Sequence, residues 1–160
     1  MRVRHLCLLA ATLLVAVTGL AAQAKPDFSG VWTMVPDKSD FGPMQAQKPD
    51  SMTRTITHKD PSLKIVTVQN GPTGETTITT AFTTDGKPQA NTVNGSPMTT
   101  TGKWDGTSIS LHSTLSMQGT DVSLDDRYTL SDGGKTLTIV RKLATPDGDA
   151  GTATIVLTKK

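Results

Sequence analysis

The fold class is decided near the C-terminus, by Leu137-Thr138-Ile139-Val140-Arg141-Lys142-Leu143, the turn Asp147-Gly148 and Ala153-Thr154-Ile155-Val156-Leu157-Thr158. In both runs, apolar side chains recur with a period of two. A β-strand turns successive side chains to opposite faces, so this period indicates strands rather than helices. An Asp-Gly pair supplies the positive φ angles of a tight hairpin. The segment therefore predicts two antiparallel strands joined by a short turn.

The same alternation repeats along the rest of the chain, and Asx-Gly or Asp-Pro turn signals separate the runs at intervals of about ten residues. The pattern predicts about ten strands, at 29–35, 51–58, 62–69, 74–84, 87–93, 97–104, 107–116, 120–130, 135–143 and 151–158. The one long connection, 36–50, contains three prolines, so we expect at most a short helical turn there. The protein is therefore predicted to be all-β.

Sequential strands joined by short turns form an antiparallel up-and-down meander. A meander leaves two edge strands exposed unless it closes on itself, and closure into a barrel removes both edges. We therefore expect a barrel of about 8–10 strands. A two-sheet sandwich is the alternative, because the turns alone do not exclude it.

The N-terminus has the three parts of a secretory signal peptide. Arg2, Arg4 and His5 precede an uncharged run from Leu6 to Ala22, and Ala22-Gln23-Ala24 is a small-x-small cleavage site. The run is shorter than the roughly 20 apolar residues of a membrane-spanning helix. We expect residues 1–24 to be removed, leaving one domain at 25–160 that is periplasmic or extracellular and does not insert into the membrane. An uncleaved anchor is the alternative.

Removal of this segment changes the charge and the redox chemistry of the chain. It takes away two of the 16 basic residues, which leaves 14 basic against 14 acidic residues and no net charge. It also removes Cys7, the one cysteine. The remaining chain has no basic excess that would favour nucleic acid. We expect no nucleic-acid partner, no cofactor and no disulfide.

Phe28-Ser29-Gly30-Val31-Trp32 opens the first predicted strand, and this Gly-x-Trp resembles the start of lipocalins and fatty-acid-binding proteins. The resemblance implies that Gly30 and Trp32 are structural and that Trp32 packs across the closed end of the barrel. It also implies an arginine from a late strand over the indole, a cation–π contact. Arg141 is the best match in this chain, followed by Arg127.

The whole chain also resembles small exported bacterial proteins described as lipocalin-like or of uncharacterised function. The resembling stretches are Asp27 to Trp32, Lys38-Ser39-Asp40-Phe41-Gly42-Pro43, His58-Lys59-Asp60-Pro61 and Leu130 to Leu137. The resemblance implies a carrier that binds a small apolar or amphipathic ligand inside the barrel. The alternative is a non-enzymatic envelope interaction or structural module with a filled barrel.

Three residues are the candidates for contact with that ligand. Alternation places Asp126 and Tyr128 on one face of their strand, and Asp125 and Arg127 on the other. Cross-strand ion pairing or a bulge is one interpretation of Asp125-Asp126-Arg127. If Arg127 points inward, it is a candidate anion anchor for the ligand, and Tyr128 is the neighbouring candidate contact. Trp104 either covers the rim of the barrel, fills the core or stacks on the ligand. Fatty-acid-binding proteins hold a carboxylate with paired Arg and Tyr residues, and this chain departs from them in having few of either.

Other residues that bear chemistry do not form a motif. His58 and His112 lack a third metal ligand at suitable spacing, so we expect them to be surface histidines of strands. The nucleophile elbow, the zinc-binding helix motif and the phosphate-binding loop are all missing. The sequence therefore predicts a protein that is not an enzyme and that binds no metal.

Overall fold

The computed structural model describes residues 24–72, 74–117 and 119–160. The predicted signal peptide therefore lies outside the described residues, apart from Ala24. No helix within these ranges is both long enough and apolar enough to cross a membrane.

Ten strands make up the described chain, as the sequence predicts. They are β1 (Gly30–Met34), β2 (Ser51–Lys59), β3 (Ser62–Gly71), β4 (Gly74–Thr83), β5 (Gln89–Val93), β6 (Ser96–Asp105), β7 (Ser108–Met117), β8 (Thr120–Ser131), β9 (Thr136–Thr145) and β10 (Gly148–Lys159). Short 3-10 turns occupy Pro36–Lys38, Gly42–Gln47 and Asp132–Gly134. The strands form one antiparallel sheet in the order β4-β3-β2-β1-β10-β9-β8-β7-β6-β5.

This sheet curls into a nearly closed barrel, which confirms the expected architecture. The seam lies between β4 and β5, where side-chain hydrogen bonds replace a ladder of backbone bonds. Asn91 Nδ2 donates to the Ala81 carbonyl at 3.0 Å, and the Ala81 amide donates to Asn91 Oδ1 at 2.7 Å. Farther along, Gly86 N donates to Gly102 O at 2.9 Å. A Cβ on Gly102 would lie 2.7 Å from the Thr83 carbonyl oxygen, so a glycine lets β4 approach β6.

The closed end of the barrel is the end at which the β2–β3, β4–β5, β6–β7 and β8–β9 turns lie. Its core is apolar, and its fully buried side chains include Phe28, Trp32, Ile109, Leu137 and Leu157. Trp32 Nε1 donates to the Phe28 carbonyl at 3.0 Å, which satisfies the one polar group of the indole. This core fills the closed end and leaves space only toward the other end.

Lys159, and not Arg141, covers the Trp32 ring. Lys159 Nζ lies 5.2 Å from the ring centroid, because Lys159 is the register partner of Trp32 in the β1–β10 ladder. Arg141 is instead the register partner of Asp126 in the β8–β9 ladder. Gly30 has a φ of 141°, and a Cβ there would lie 2.5 Å from Lys159 Cε. A cation does lie over Trp32, but it is Lys159, and the expectation that Arg141 stacks on this ring was wrong.

The long β1–β2 connection covers the opposite end, which we call the cap end. Asp40 and Thr154 exchange two backbone hydrogen bonds of 2.8 and 2.6 Å, which attach the connection to β10. The 3-10 turn Gly42–Gln47, here the cap segment, follows directly and places Met44 toward the barrel interior with the buried Phe41. The prolines thus allow short turns and no long helix, as expected.

Candidate functional site

A cavity of about 490 Å³ lies between the apolar core of the closed end and the cap segment. Its walls are the inward-facing positions of the strands, and its apolar side chains include Met52, Ile65, Phe82, Leu111, Leu143 and Ile155. Phe41 and Met44 complete it at the cap end. The interior is therefore hollow and mainly apolar.

Arg54 projects from β2 into this cavity, and only 7% of its surface is exposed. Its Nη1 donates to the Tyr128 hydroxyl at 2.9 Å. Its Nε has no hydrogen-bond partner among the described residues, and none of the carboxylates in that part of the chain lies within 4.0 Å of it. Arg54 is thus a buried cation without a counter-ion from the described chain.

A second arginine in the cavity wall is neutralised. Arg141 Nε and Nη2 donate to the two carboxylate oxygens of Asp126 at 2.7 and 2.6 Å, a bidentate pair across the β8–β9 ladder. Burial alone lowers the pKa of Arg141, but the Asp126 carboxylate outweighs it and raises that pKa above its usual value. Arg141 therefore stays charged in the cavity wall, with its charge directed at the Asp126 carboxylate.

The cavity consequently carries a net positive charge. Its charged lining side chains are Arg54, Arg141 and Asp126, and the last two cancel. Burial raises the pKa of Tyr128, so its hydroxyl keeps its proton. Because the Tyr128 oxygen accepts from Arg54, the hydroxyl hydrogen remains able to donate. The Arg54 guanidinium and the Tyr128 hydroxyl thus lie side by side in the cavity wall, where they are candidate donors to an anion.

Hydroxyl groups on other strands also contribute polar atoms to the cavity wall. Thr100 Oγ1 and Ser113 Oγ lie 2.9 Å apart on β6 and β7, and both residues are buried. Thr67 on β3 is also buried and lines the cavity. The mainly apolar wall of the cavity therefore carries polar groups on several strands.

Of the three predicted ligand-contact residues, the structure places Tyr128 alone in this cavity. Arg127 lies on the outer face and pairs with Asp105 through Nη1. Alternation along β8 turns Asp126 and Tyr128 inward and therefore Arg127 outward. The proposed anion anchor at Arg127 is thus corrected to Arg54.

Trp104 belongs to the closed end and does not line the cavity. Its Nε1 donates to Asp60 Oδ1 at 2.8 Å, and its ring centroid lies 6.0 Å from Phe28 and 5.7 Å from His58. Hydrogen bonds from Trp104, Thr84 and Lys25 lower the pKa of Asp60 to about 2. Trp104 therefore packs at the closed rim, one of the positions expected for it, and does not stack on a ligand in the cavity.

His58 is not the surface histidine that the sequence suggested, because its side chain is only 5% exposed. Its Nδ1 accepts a hydrogen bond from the Phe28 amide at 3.2 Å, so it attaches the N-terminal segment to β2. His112 remains on the outer face, 53% exposed. Among the described residues, no three His, Cys, Asp or Glu side chains come close enough together to hold a metal ion.

Sequence reasoning passed over Arg54, although a signal for it was present. Arg54 alternates with threonines on the same face as Met52 and Ile56, which are both buried apolar residues. A charged residue on an apolar face must enter the core. Since buried charges need partners, that position alone marks Arg54 as a candidate binding residue.

No protein-family model matches the chain, and neither does any curated protein sequence. Solved structures match in fold. Secretory abundant heat soluble protein 4 from Ramazzottius varieornatus is 13% identical, with a TM-score of 0.60 over 86% of this chain and 99% of that one. Zebrafish ileal bile acid-binding protein complexed with cholic acid is 16% identical, with a TM-score of 0.55 over 83% and 98%. A Schistosoma mansoni fatty acid binding protein in complex with arachidonic acid is 15% identical, with a TM-score of 0.50 over 83% and 96%.

These similarities show that the solved structures share the antiparallel all-β barrel fold of this chain. They agree with the all-β barrel that the sequence predicts.

Proposed function

We propose that this protein is an exported, non-enzymatic carrier that binds one small apolar ligand with an acidic group inside its barrel. The observation that supports this most strongly is Arg54, a buried guanidinium at the wall of an apolar cavity with no carboxylate beside it in the described chain. Burial of an uncompensated charge costs several kcal/mol, so a ligand oxyanion there would relieve the cost.

The chemistry of the donors favours a carboxylate or a similar planar anion. A guanidinium presents fixed N–H groups that fit carboxylate geometry, and Arg54 lines the cavity with its guanidinium held by Tyr128 and by no carboxylate of the described chain. The Tyr128 hydroxyl lies beside it and retains its proton. One acidic group can thus accept from both side chains.

The size of the cavity favours a single small ligand. Sites for small molecules occupy about 300–1,000 Å³, and the volume here is about 490 Å³. A hollow interior also favours a carrier over the alternative of a structural module with a filled barrel. Cholic acid and arachidonic acid, which the similar zebrafish and Schistosoma structures contain, are both acids with large apolar bodies.

Export is supported by the N-terminal sequence, and the contacts of the residues that follow Ala24 are compatible with cleavage there. Lys25, the residue after the proposed cleavage site, pairs with Asp60 at 3.1 Å. Ser29 and His58 then exchange two further hydrogen bonds, of 3.2 and 3.0 Å. Cleavage after Ala24 would leave all of these contacts intact. The proposed location is therefore the periplasm or the extracellular space.

Displacement of a fluorescent fatty-acid probe by oleate and by oleyl alcohol tests the proposed function. The wild-type protein should bind oleate more tightly than the alcohol, because only oleate can use Arg54. Arg54→Met should weaken oleate binding about 10–100-fold, as expected for loss of hydrogen bonds to a charged group worth about 1.5–3 kcal/mol, and should leave alcohol binding nearly unchanged.

Arg127→Met is the matched control, because it removes an arginine from the outer face of the same barrel. It should bind both ligands as the wild type does. Failure of the wild-type protein to bind either ligand would contradict the carrier function. Equal loss of oleate and alcohol binding in Arg54→Met would contradict the role of the guanidinium.

A further inference from the structure

Charged side chains gather on the outer face of β6–β9, on the other side of the sheet from the ligand cavity. Lys103, Arg127 and Lys142 contribute three cations there, beside His112 and Asp125. They line a groove of about 650 Å³ that also includes Gly86 of the β4–β5 turn. The surface is therefore concave here and carries charged side chains.

Strand register brings these side chains into two rows. Lys103 faces Ser110 across β6–β7, and Ser110 faces Arg127 across β7–β8. Directly paired side chains have Cβ atoms about 4.5–5.5 Å apart. The Ser110 hydroxyl is thus flanked by two cationic side chains, one from each neighbouring strand.

The second row lies two residues farther along the same strands. His112 faces Asp125, and Asp125 faces Lys142 across β8–β9. Because Arg127 is paired with Val140, Lys142 is its diagonal neighbour, at about 7–8 Å. Arg127 therefore stands between the two lysines, within reach of both of these long side chains.

The carboxylates near the groove are already engaged. Asp125 Oδ1 lies 2.7 Å from His112 Nδ1, and Asp105 pairs with Arg127 Nη1. Within the described ranges, Lys103 and Lys142 have no carboxylate oxygen within 4.0 Å. The groove thus holds two ammonium groups that, in the part of the chain that the structure describes, are not held in an ion pair.

We infer that this groove is a second binding site, which takes the oxyanion of a small polar ligand such as a phosphate or a sugar phosphate. Lys103 and Lys142 supply the charge, and Ser110 supplies a hydrogen-bond donor. Asp125 and Thr101 offer acceptors for hydroxyl groups of the same ligand. The site lies on the outer face of the sheet, so it is distinct from the cavity at Arg54 inside the barrel.

Amide-resolved NMR titration of the whole domain tests this inference, with inorganic phosphate, glucose 6-phosphate and glucose as probes. The two charged probes should shift the amides of Ser110 and Arg127 saturably, and added salt should weaken binding because the site is exposed. Glucose should produce no saturable shifts. Stronger binding of glucose 6-phosphate than of phosphate would support a sugar phosphate, and equal binding would support the oxyanion alone.

The double variant Lys103→Gln with Lys142→Gln should raise the Kd of the charged probes at least tenfold. Lys64→Gln is the matched control, because Lys64 is an exposed outward lysine on β3, away from the groove. It should leave the Kd unchanged. The inference is overturned if neither charged probe gives saturable shifts at millimolar concentration, or if the double variant and the control bind equally well.

Discussion

Replacement of Arg54 by methionine should make the ligand-free protein more stable. Methionine has a similar length, carries no charge and fits among apolar neighbours. In the folded protein, Arg54 is 7% exposed, lacks a carboxylate partner in the described chain and leaves its Nε unbonded. The substitution therefore removes a desolvated charge, and it also removes one hydrogen bond, the one to Tyr128.

The magnitude follows from the two opposing terms. Burial of the unpaired guanidinium costs several kcal/mol, and the bond to Tyr128 offsets about 1.5–3 kcal/mol of that. The net expectation is an increase of about 1–3 kcal/mol in the free energy of unfolding. For a domain of this size, each kcal/mol of added stability raises the Tm by about 3–6 °C.

Urea and thermal denaturation of both proteins measure the difference, with Arg127→Met as the control. The control changes an exposed arginine and should alter the free energy of unfolding by less than about 0.5 kcal/mol. Saturating oleate should then reverse the order, because a ligand stabilises the state that it binds. A less stable Arg54→Met beside a neutral control would refute the reasoning, since it would mean that Arg54 stabilises the empty barrel.

Three further substitutions test the rest of the account. Asp126→Asn leaves Arg141 without its carboxylate and should lower the free energy of unfolding by about 2–4 kcal/mol in urea denaturation; an unchanged midpoint would contradict the buried pair. Gly102→Val should lower the free energy of unfolding by about 1–3 kcal/mol and should speed amide hydrogen exchange along the β4–β5 seam. Gly71→Ala should do neither, because a Cβ at Gly71 would make only ordinary van der Waals contacts. Asp60 has a pKa of about 2 against 3.8 when unperturbed, so its contribution to stability is complete above pH 3.8 and is lost as the pH falls toward 2. Asp60→Asn should therefore flatten the decline of Tm over that interval, and an unaltered decline would exclude Asp60 as its source.

The strands could be predicted because their signals are local. The Asp85-Gly86, Asn94-Gly95 and Asp105-Gly106 pairs each fall in a turn between two strands, as the alternation on either side suggests. The period of two also fixed which residues share a face, such as Asp126 and Tyr128. These properties depend on neighbouring residues and not on the rest of the fold.

Register between distant strands could not be predicted in this way. The cation over Trp32 is Lys159, because β1 pairs with β10 in one specific alignment. A shift of two residues would preserve every inward and outward position and still change the partner. The pairing of Arg141 with Asp126 depends on a second such alignment.

Arg54 shows the opposite case, in which a local signal was sufficient. It stands between Met52 and Ile56 on the inward face of β2, so its burial follows from alternation alone. That Arg54 has no carboxylate partner among the described residues depends on where carboxylates such as Asp126 of β8 lie, which only the folded barrel shows. The inward position of Arg54 was therefore accessible from the sequence, and its lack of such a partner was not.

The central claim is that Arg54 holds the acidic group of a ligand inside the barrel. Carbon-13 NMR of oleate labelled at its carboxyl carbon, bound to the wild-type protein and followed over an acid titration, tests it most directly. Beside a buried guanidinium, the bound carboxylate should keep its ionised chemical shift well below the pH at which a carboxylic acid normally protonates. A bound carboxyl group that titrates at its ordinary pH, with or without Arg54, would contradict the account.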